Sequence, residues 1–365
     1  MNRCFWLGVM VVSSCLVAGC GKVELEYVLN DSSKDQLADN PEALDQLATS
    51  LDEVFGTPAK PKLAKAIAAA VDAKVIVANE GDLETVGALK YRHWCMHCHG
   101  MSGDGNGPTA GTKENPFLNP RPRDYRIGRF KFTSTQGLPV IVKPTRADLL
   151  RTLRNGVPGT SMPSFALYDQ KELESVLDYV ILLSLRGETE SKVVSNEYEP
   201  GGKITLKMVE STAKDVAESW EGLDAKVVQP KTPRPPATPE SIAKGRELFL
   251  KKGECLKCHG PLALGDGWEL DKSSDPTKQK DDWGIQAKPA NLTLGVNRGG
   301  GRPIDLFRRI RHGVKGTPMA AQGLNLDEEE TWHLVNYVRS IAYDGAEPKV
   351  AETPKTEHES GTKNN

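Results

Sequence analysis

The sequence predicts an all-α protein in which two similar helical domains follow one another. The first observation is an internal repeat of about 110 residues, because the segment 148–162 recurs at 305–319 without a gap. The second observation is that apolar residues recur at helical spacing both before and after each repeated segment. The third is length, since 365 residues suffice for two ordinary domains and tails.

Composition narrows the class of protein further. Hydrophobic residues make up 38% and aromatic residues 6%, which is enough for modest soluble cores and excludes a large membrane-spanning protein. The formal net charge of -2 excludes the strongly basic surface of a dedicated nucleic-acid-binding protein. With 34 Gly and 24 Pro, loop-rich domains and linkers are expected.

The N-terminus carries an export signal. One Arg precedes an apolar stretch at 5–18 that is too short to span a bilayer, which is typical of a secretory signal peptide. The following LVAGC at 16–20 resembles the bacterial lipobox, and the resemblance implies that Cys20 is acylated and becomes the mature N-terminus. Several acyl chains hold a protein on a membrane surface more firmly than one. A lipid-anchored location on the periplasmic side of a bacterial membrane is therefore expected, with Gly21 favouring the outer membrane; the alternative is an ordinary signal peptide with a coincidental Cys.

Four of the seven cysteines remain for the folded part of the chain, since Cys4 and Cys15 leave with the signal peptide and Cys20 carries the lipid. They form two C-x-x-C pairs, each followed at once by histidine: Cys95, Cys98 and His99, and Cys255, Cys258 and His259. This pattern is typical of c-type haem attachment. Two thiols three residues apart on a helical turn reach the two vinyl groups of one porphyrin, and the next imidazole points at the iron. The sequence therefore predicts two covalently bound haems c, with both histidines as iron ligands.

Two other uses of C-x-x-C pairs are open. A zinc site made of all four thiols is conceivable, but it leaves both following histidines unexplained. A thioredoxin-like redox pair is typical of a βαβ setting, which the sequence does not show.

The repeat also supplies candidates for the second axial ligand of each iron. Met162 and Met319 fall in register, each on a Gly-containing loop just after a short amphipathic helix. A methionine in a soluble domain is often only core filler. The shared position favours ligation in both repeats, and His/Met ligation raises a haem's reduction potential.

Helices are predicted in the following order along the chain. Asn40-Pro41 opens a helix that ends before Gly56, and an Ala-rich helix is predicted over 63–78. These two are interpreted as a membrane spacer, a docking element or a helical cap on the first domain. The helices 82–93 and 239–251 precede the attachment sites, and the helices 170–185 and 327–341 follow the methionines. In each repeat, the first and last of these helices are expected to cross and close the haem crevice.

With these motifs in place, each repeat resembles a class I cytochrome c domain, and the chain resembles exported di-haem c-type cytochromes. The resemblance implies short helices around a covalent haem, and a proline carbonyl that orients the axial histidine; Pro122 and Pro289 occupy the matching places. The predicted organisation is a signal peptide at 1–19, an N-terminal extension at 20–80, domain 1 at 81–187, a linker at 188–237 with a Pro-rich end, domain 2 at 238–345 and a disordered tail at 346–365.

Between each attachment site and its methionine lies a charged segment. The basic segment 120–132 has two interpretations: arginines that bind haem propionates or a redox partner, or a solvated loop. The insert at 271–282 is predicted to be a surface loop.

The predicted function is electron transfer. Two His/Met-ligated haems pass single electrons between a redox donor and acceptor in or at the membrane, and no nucleic acid or small-molecule substrate is expected. One alternative is a di-haem peroxidase, which needs one haem with an open face. Another is a fixed cytochrome subunit of an oxidase, reductase or dehydrogenase complex.

Overall fold

The computed structural model describes residues 25–78, 80–112, 120–136, 143–270 and 279–342. These ranges contain helices, turns and isolated bridges but no strand, which confirms the all-α prediction. None of their helices is both long and apolar enough to cross a membrane. The predicted signal peptide, Cys20 and the tail at 346–365 lie outside the described residues.

Fourteen α-helices follow one another in the described ranges. They are α1 Asp31–Gln36, α2 Pro41–Phe55, α3 Lys65–Ala70, α4 Ala73–Ile76, α5 Leu89–Trp94, α6 Met96–His99, α7 Arg146–Asn155, α8 Gln170–Lys192, α9 Leu206–Glu218, α10 Pro239–Leu250, α11 Leu256–His259, α12 Gly267–Leu270, α13 Pro303–His312 and α14 Glu328–Ser340. A π-helical segment, Leu83–Ala88, leads directly into α5, and another, Val193–Glu197, follows α8.

The first half of the chain has one large hydrophobic core built around α8. This helix was predicted to end at residue 185, where the apolar pattern stops, but it runs to Lys192 because the polar residues that follow are buried in pairs. Arg186 lies 3.5 Å from Glu190, and the Asn30 N–H donates to the Glu190 carboxylate over 2.5 Å. Burial of a charge is tolerated where it is paired and hydrogen-bonded. The N-terminal segment is thereby attached to the last turns of α8.

The segment predicted as a linker at 188–237 contains a helix, and its first part packs on the first half of the chain. Its helix α9 packs against α8, α2 and α3, and Val209, Val216 and Trp220 are buried in the same core. The Pro-rich end is extended and lies along α14, with most of its residues exposed on the other side. The Trp332 indole N–H donates to the Thr232 carbonyl over 2.9 Å, for example.

The N-terminal helices belong to the core of the first half. Asn40 caps α2 as predicted, by accepting a hydrogen bond from the Ala43 N–H. Leu47, Leu51 and Phe55 on the apolar face of α2 are fully buried. The segment predicted as one helix over 63–78 forms two shorter helices, α3 and α4. Of the three interpretations of this region, its packing on α8 and α9 favours the helical cap.

In each repeat, a glycine lets the first helix approach the last one closely. A Cβ on Gly87 would collide with the Ser175 carbonyl oxygen of α8, and a Cβ on Gly245 would collide with the His333 carbonyl oxygen of α14. Four residues after each glycine an aromatic ring meets a tyrosine of the last helix. The ring centroids are 5.1 Å apart for Tyr91 and Tyr179, and 5.4 Å apart for Phe249 and Tyr337. The predicted crossing of first and last helices is present in both halves.

Replacing Gly245 with alanine is expected to lower the free energy of unfolding of the second domain by about 1–3 kcal/mol, because α10 and α14 must move apart. Helix propensity alone predicts the opposite sign, since alanine is favoured over glycine by about 1 kcal/mol inside a helix. Thermal unfolding followed by circular dichroism measures the change. Gly81→Ala is the control, because no atom lies within 4 Å of the Cβ it adds. A Gly245→Ala variant as stable as this control would contradict the close approach.

Candidate haem-binding sites

Each C-x-x-C-H motif forms one short helix, α6 in the first domain and α11 in the second. The His99 N–H donates to the Cys95 carbonyl over 2.8 Å, and the His259 N–H donates to the Cys255 carbonyl over the same distance. Each motif therefore closes one helical turn, the arrangement that the spacing predicted.

The four thiols are unpaired and lie in two separate places. Cys95 belongs to the core of the first domain, whereas Cys255 packs against a different hydrophobic cluster in the second. Burial raises the pKa of the Cys95 thiol to about 12 and that of the Cys255 thiol to about 11. Within the described ranges no three His, Cys, Asp or Glu side chains come together as metal ligands, and the thiols do not assemble into a Cys4 zinc site.

Both candidate axial histidines are oriented by a backbone carbonyl. His99 Nδ1 lies 3.1 Å from the Arg123 carbonyl oxygen, and His259 Nδ1 lies 2.9 Å from that of Ala290. A carbonyl only accepts, so Nδ1 carries the proton in each ring. Nε2 is left with the lone pair that a metal needs.

The acceptor was predicted to be the carbonyl of Pro122 or Pro289, and this prediction was wrong by one residue in both repeats. The two proline carbonyls point instead at Gly105 and Gly265, where a Cβ would lie 2.7 Å from the oxygen. The path of each loop therefore presents the next carbonyl to the imidazole. The same displacement in both repeats means that the two sites share one backbone design.

The two histidines differ in burial. The His99 side chain stacks on Tyr125 with ring centroids 4.7 Å apart and is only 8% exposed, whereas His259 is half-buried. Burial lowers the pKa of His99 to about 4, and burial also lowers the pKa of His259. Both imidazoles are therefore neutral at pH 7, the protonation state required for metal coordination.

The two candidate methionines lie on loops with the same hydrogen bonds. The Met162 N–H donates to Thr160 Oγ1 over 3.1 Å, and the Val157 N–H donates to the Met162 carbonyl over 3.1 Å. In the second repeat Met319 has the equivalent bonds to Thr317 and Val314, at 3.3 and 3.1 Å. Met162 is half-buried and Met319 is 37% exposed. Ligation of iron by either sulfur stays a prediction.

The basic segment after the first attachment site is neither a solvated loop nor a free cationic surface. Arg121 is buried and donates to the carbonyls of Gly105, Ala110 and Gly111 over 3.1, 3.3 and 2.6 Å. Arg123, Arg129 and Lys131 face acidic side chains of the second domain. These acidic residues, Asp281 and Asp282, end the insert predicted as a surface loop; its residues 271–278 lie outside the described ranges.

One residue that the sequence reasoning did not single out is His312, at the end of α13. Both of its ring nitrogens are buried without a hydrogen-bond partner among the described residues, and burial lowers its pKa to about 4. The sequence signal that could have identified His312 was its position at the end of the repeated segment, where it aligns with Asn155. The residues of both sites fit haem c as the group to be bound. Each attachment turn has two free thiols, each candidate axial imidazole has an unprotonated Nε2, and the His312 imidazole before the Met319 loop has no partner among the described residues.

Comparison with known proteins also indicates haem c. Residues 83–180 match the family model described as cytochrome c oxidase, cbb3-type, subunit III, and residues 242–342 match the family model described as cytochrome c. A chain of the reducing HAO-like protein complex Kustc0457/Kustc0458 of Kuenenia stuttgartiensis is similar in structure. It is 27% identical with a TM-score of 0.51, and the match covers 69% of the present chain and 93% of that chain. In a comparison with curated proteins nothing matches.

The fold, the attachment turns and both family matches define the class. The chain is a c-type cytochrome with two cytochrome c domains in tandem, the organisation of a di-haem cytochrome.

Proposed function

We propose that the protein carries single electrons between redox proteins through two covalently bound haems c, one in each domain. The observation that carries the proposal is that one site design occurs twice, with an attachment turn, a carbonyl-oriented imidazole and a methionine loop. A cofactor of this kind supplies one-electron oxidation and reduction of its iron, and the protein supplies binding and tuning.

Each residue of the site has a stated role in this proposal. Cys95 and Cys98 hold one porphyrin covalently, and Cys255 and Cys258 hold the other. His99 and His259 bind iron through Nε2, while the carbonyl bond at Nδ1 fixes the ring and increases its basicity. Met162 and Met319 would each supply the second ligand of one iron. A carrier is then favoured over a di-haem peroxidase, because a peroxidase needs one iron that is open to a small molecule.

The test is an optical spectrum of the purified protein in both redox states, with haem quantified as its pyridine complex. Two haems per chain are expected, both low-spin, with the weak near-infrared band of Met-bound ferric iron and no consumption of peroxide. A high-spin fraction that consumes peroxide would move the assignment to a di-haem peroxidase. A protein without covalent haem would overturn the proposal.

Location is a further part of the proposal and rests on the sequence at 16–20. Acylated Cys20 holds the protein on the periplasmic side of a bacterial membrane, with the outer membrane favoured by Gly21. Mass spectrometry of the mature N-terminus tests this, because an unmodified N-terminus or a cleavage site elsewhere contradicts it.

A second candidate is a fixed cytochrome subunit rather than a mobile carrier. It is favoured by the similar Kuenenia chain, which is part of a protein complex and is matched over 93% of its length. The oxidase-subunit description of one matching family model favours it too. Gel filtration of detergent-solubilised membranes separates the two candidates. A subunit elutes with a constant partner, whereas a carrier elutes alone.

A further inference from the structure

The loop that orients His99 is held from the second domain. The Arg123 carbonyl accepts the His99 Nδ1–H, and the next carbonyl, that of Asp124, accepts the Trp283 indole N–H over 3.2 Å. The Arg123 guanidinium lies 3.5 Å from the centroid of the same indole ring. Arg123 thus contacts both His99 and Trp283 of domain 2, and the next residue, Asp124, also binds Trp283.

Trp283 is itself fixed within the second domain. The Asp281 carboxylate accepts hydrogen bonds from the backbone N–H groups of Trp283 and Ile285, at 3.1 and 3.0 Å. The indole ring rests on Gly316, where an added Cβ would lie 2.7 Å from the ring. Since Gly316 belongs to the Met319 loop, the indole joins the His99 loop of one domain to the methionine loop of the other.

Charge at this contact is balanced across the domain boundary. Asp281 is 9% exposed and lies 2.9 Å from the Lys131 ammonium and 4.0 Å from the Arg123 guanidinium. Both cations come from domain 1, close to the histidine, and the carboxylate comes from domain 2. Interactions of this kind are screened little by solvent because the groups are buried.

The second site lacks this arrangement. Its orienting carbonyl belongs to Ala290, at the position that Arg123 occupies in the first repeat, and a methyl side chain can neither stack on an indole nor pair with a carboxylate. The two sites share a backbone design, and among the described residues only the first is linked to the opposite domain through its orienting carbonyl.

We propose that Trp283 and Asp281 of the second domain act together as a clamp that positions the axial His99 of the first domain. The proposal rests on the proposed function, because it assigns His99 to iron. The clamp holds the carbonyl that makes the imidazole a stronger donor, and it places one negative charge against two cations beside that imidazole. Both effects stabilise the oxidised, more positive iron. Trp283 and Asp281 are positioning residues in this proposal, because they act through Arg123, Asp124 and Lys131 of the loop beside His99.

Two variants test the clamp by different routes. Trp283→Phe keeps a ring against Arg123 and Gly316 but removes the N–H that holds the Asp124 carbonyl. Asp281→Asn keeps an acceptor for the backbone N–H groups but removes the charge. In each variant the midpoint potential of the first haem is expected to rise while that of the second haem stays in place. In Trp283→Phe, the His99 Nδ1–H resonance of the reduced protein is also expected to exchange faster with solvent.

Asp282→Asn is the matched control, since it makes the same chemical change at the next residue. Asp282 forms its ion pair across the boundary with Arg129, and its electrostatic effect on Arg123 is smaller than that of Asp281. If Asp282→Asn shifts the midpoint potential of the first haem as much as Asp281→Asn does, the clamp proposal is wrong. The shift would then come from the net charge of the interface as a whole. Unchanged potential and exchange in both test variants would overturn the clamp proposal as well. Absence of covalent haem from the unmodified protein would instead mean that the proposed function has failed. Should Trp283→Phe not fold, the near-isosteric Asp281→Asn decides alone.

Discussion

Replacing Cys95 and Cys98 together with alanine is expected to reduce covalently bound haem to about half, with the second site still loaded. The two attachment turns lie in different hydrophobic cores, with Cys95 in the large core around α8 and Cys255 beside a smaller cluster between α10 and α14. Loss of one turn therefore does not disturb the other directly. Haem staining after denaturing electrophoresis and pyridine-haem quantitation per chain measure the result.

The corresponding variant of the second site, Cys255→Ala with Cys258→Ala, is the matched control. It is expected to lose the second haem and to retain the first. The structure predicts a difference between the two variants in stability. Cys95 lies in a core that also includes α2, α8 and α9. Loss of the first haem is therefore expected to lower the free energy of unfolding more than loss of the second. Haem content that is unchanged in both variants would contradict covalent attachment at these cysteines.

Features set by a few neighbouring residues could be predicted from the sequence. The attachment turn depends on spacing within five residues, and the methionine loops repeat the same short pattern, so both are found where the sequence placed them. The helix boundaries at Asn40, Thr238 and Asp327 were also readable, because in each case a capping side chain is adjacent to the first helical turn.

Features set by distant residues could not be predicted. Which carbonyl faces His99 depends on the path of a loop, and proline at 122 was a guide only to within one residue. The extension of α8 depends on Glu190 meeting Asn30, 160 residues away along the chain. Likewise, nothing in the local sequence connects Trp283 with Asp124, because the partner groups are a side chain and a backbone oxygen from opposite domains.

The second large effect is expected for Met162→Ala. The backbone of the Met162 loop is fixed by hydrogen bonds to Thr160 Oγ1 and from the Val157 N–H, and neither bond involves the methionine side chain. The substitution should therefore leave the loop in place and remove only the sulfur. If this sulfur binds iron, the first haem becomes partly high-spin and about half of the near-infrared Met band disappears. The first midpoint potential then falls on the order of 0.1 V or more, within the range of about 0.8 V that axial ligands control.

Two controls make the Met162→Ala result specific. Met208→Ala removes a half-buried methionine of α9, outside the methionine loops, and should leave both potentials and the band unchanged. Met319→Ala should affect only the second haem. Its loss of packing should be smaller than that of Met162→Ala, because Met319 is 37% exposed. If Met162→Ala resembles Met208→Ala, the methionine is core filler and the first iron has an open face or another ligand. The peroxidase alternative would then gain the open site it requires, because a carrier is distinguished from a peroxidase here by whether that second axial position is filled.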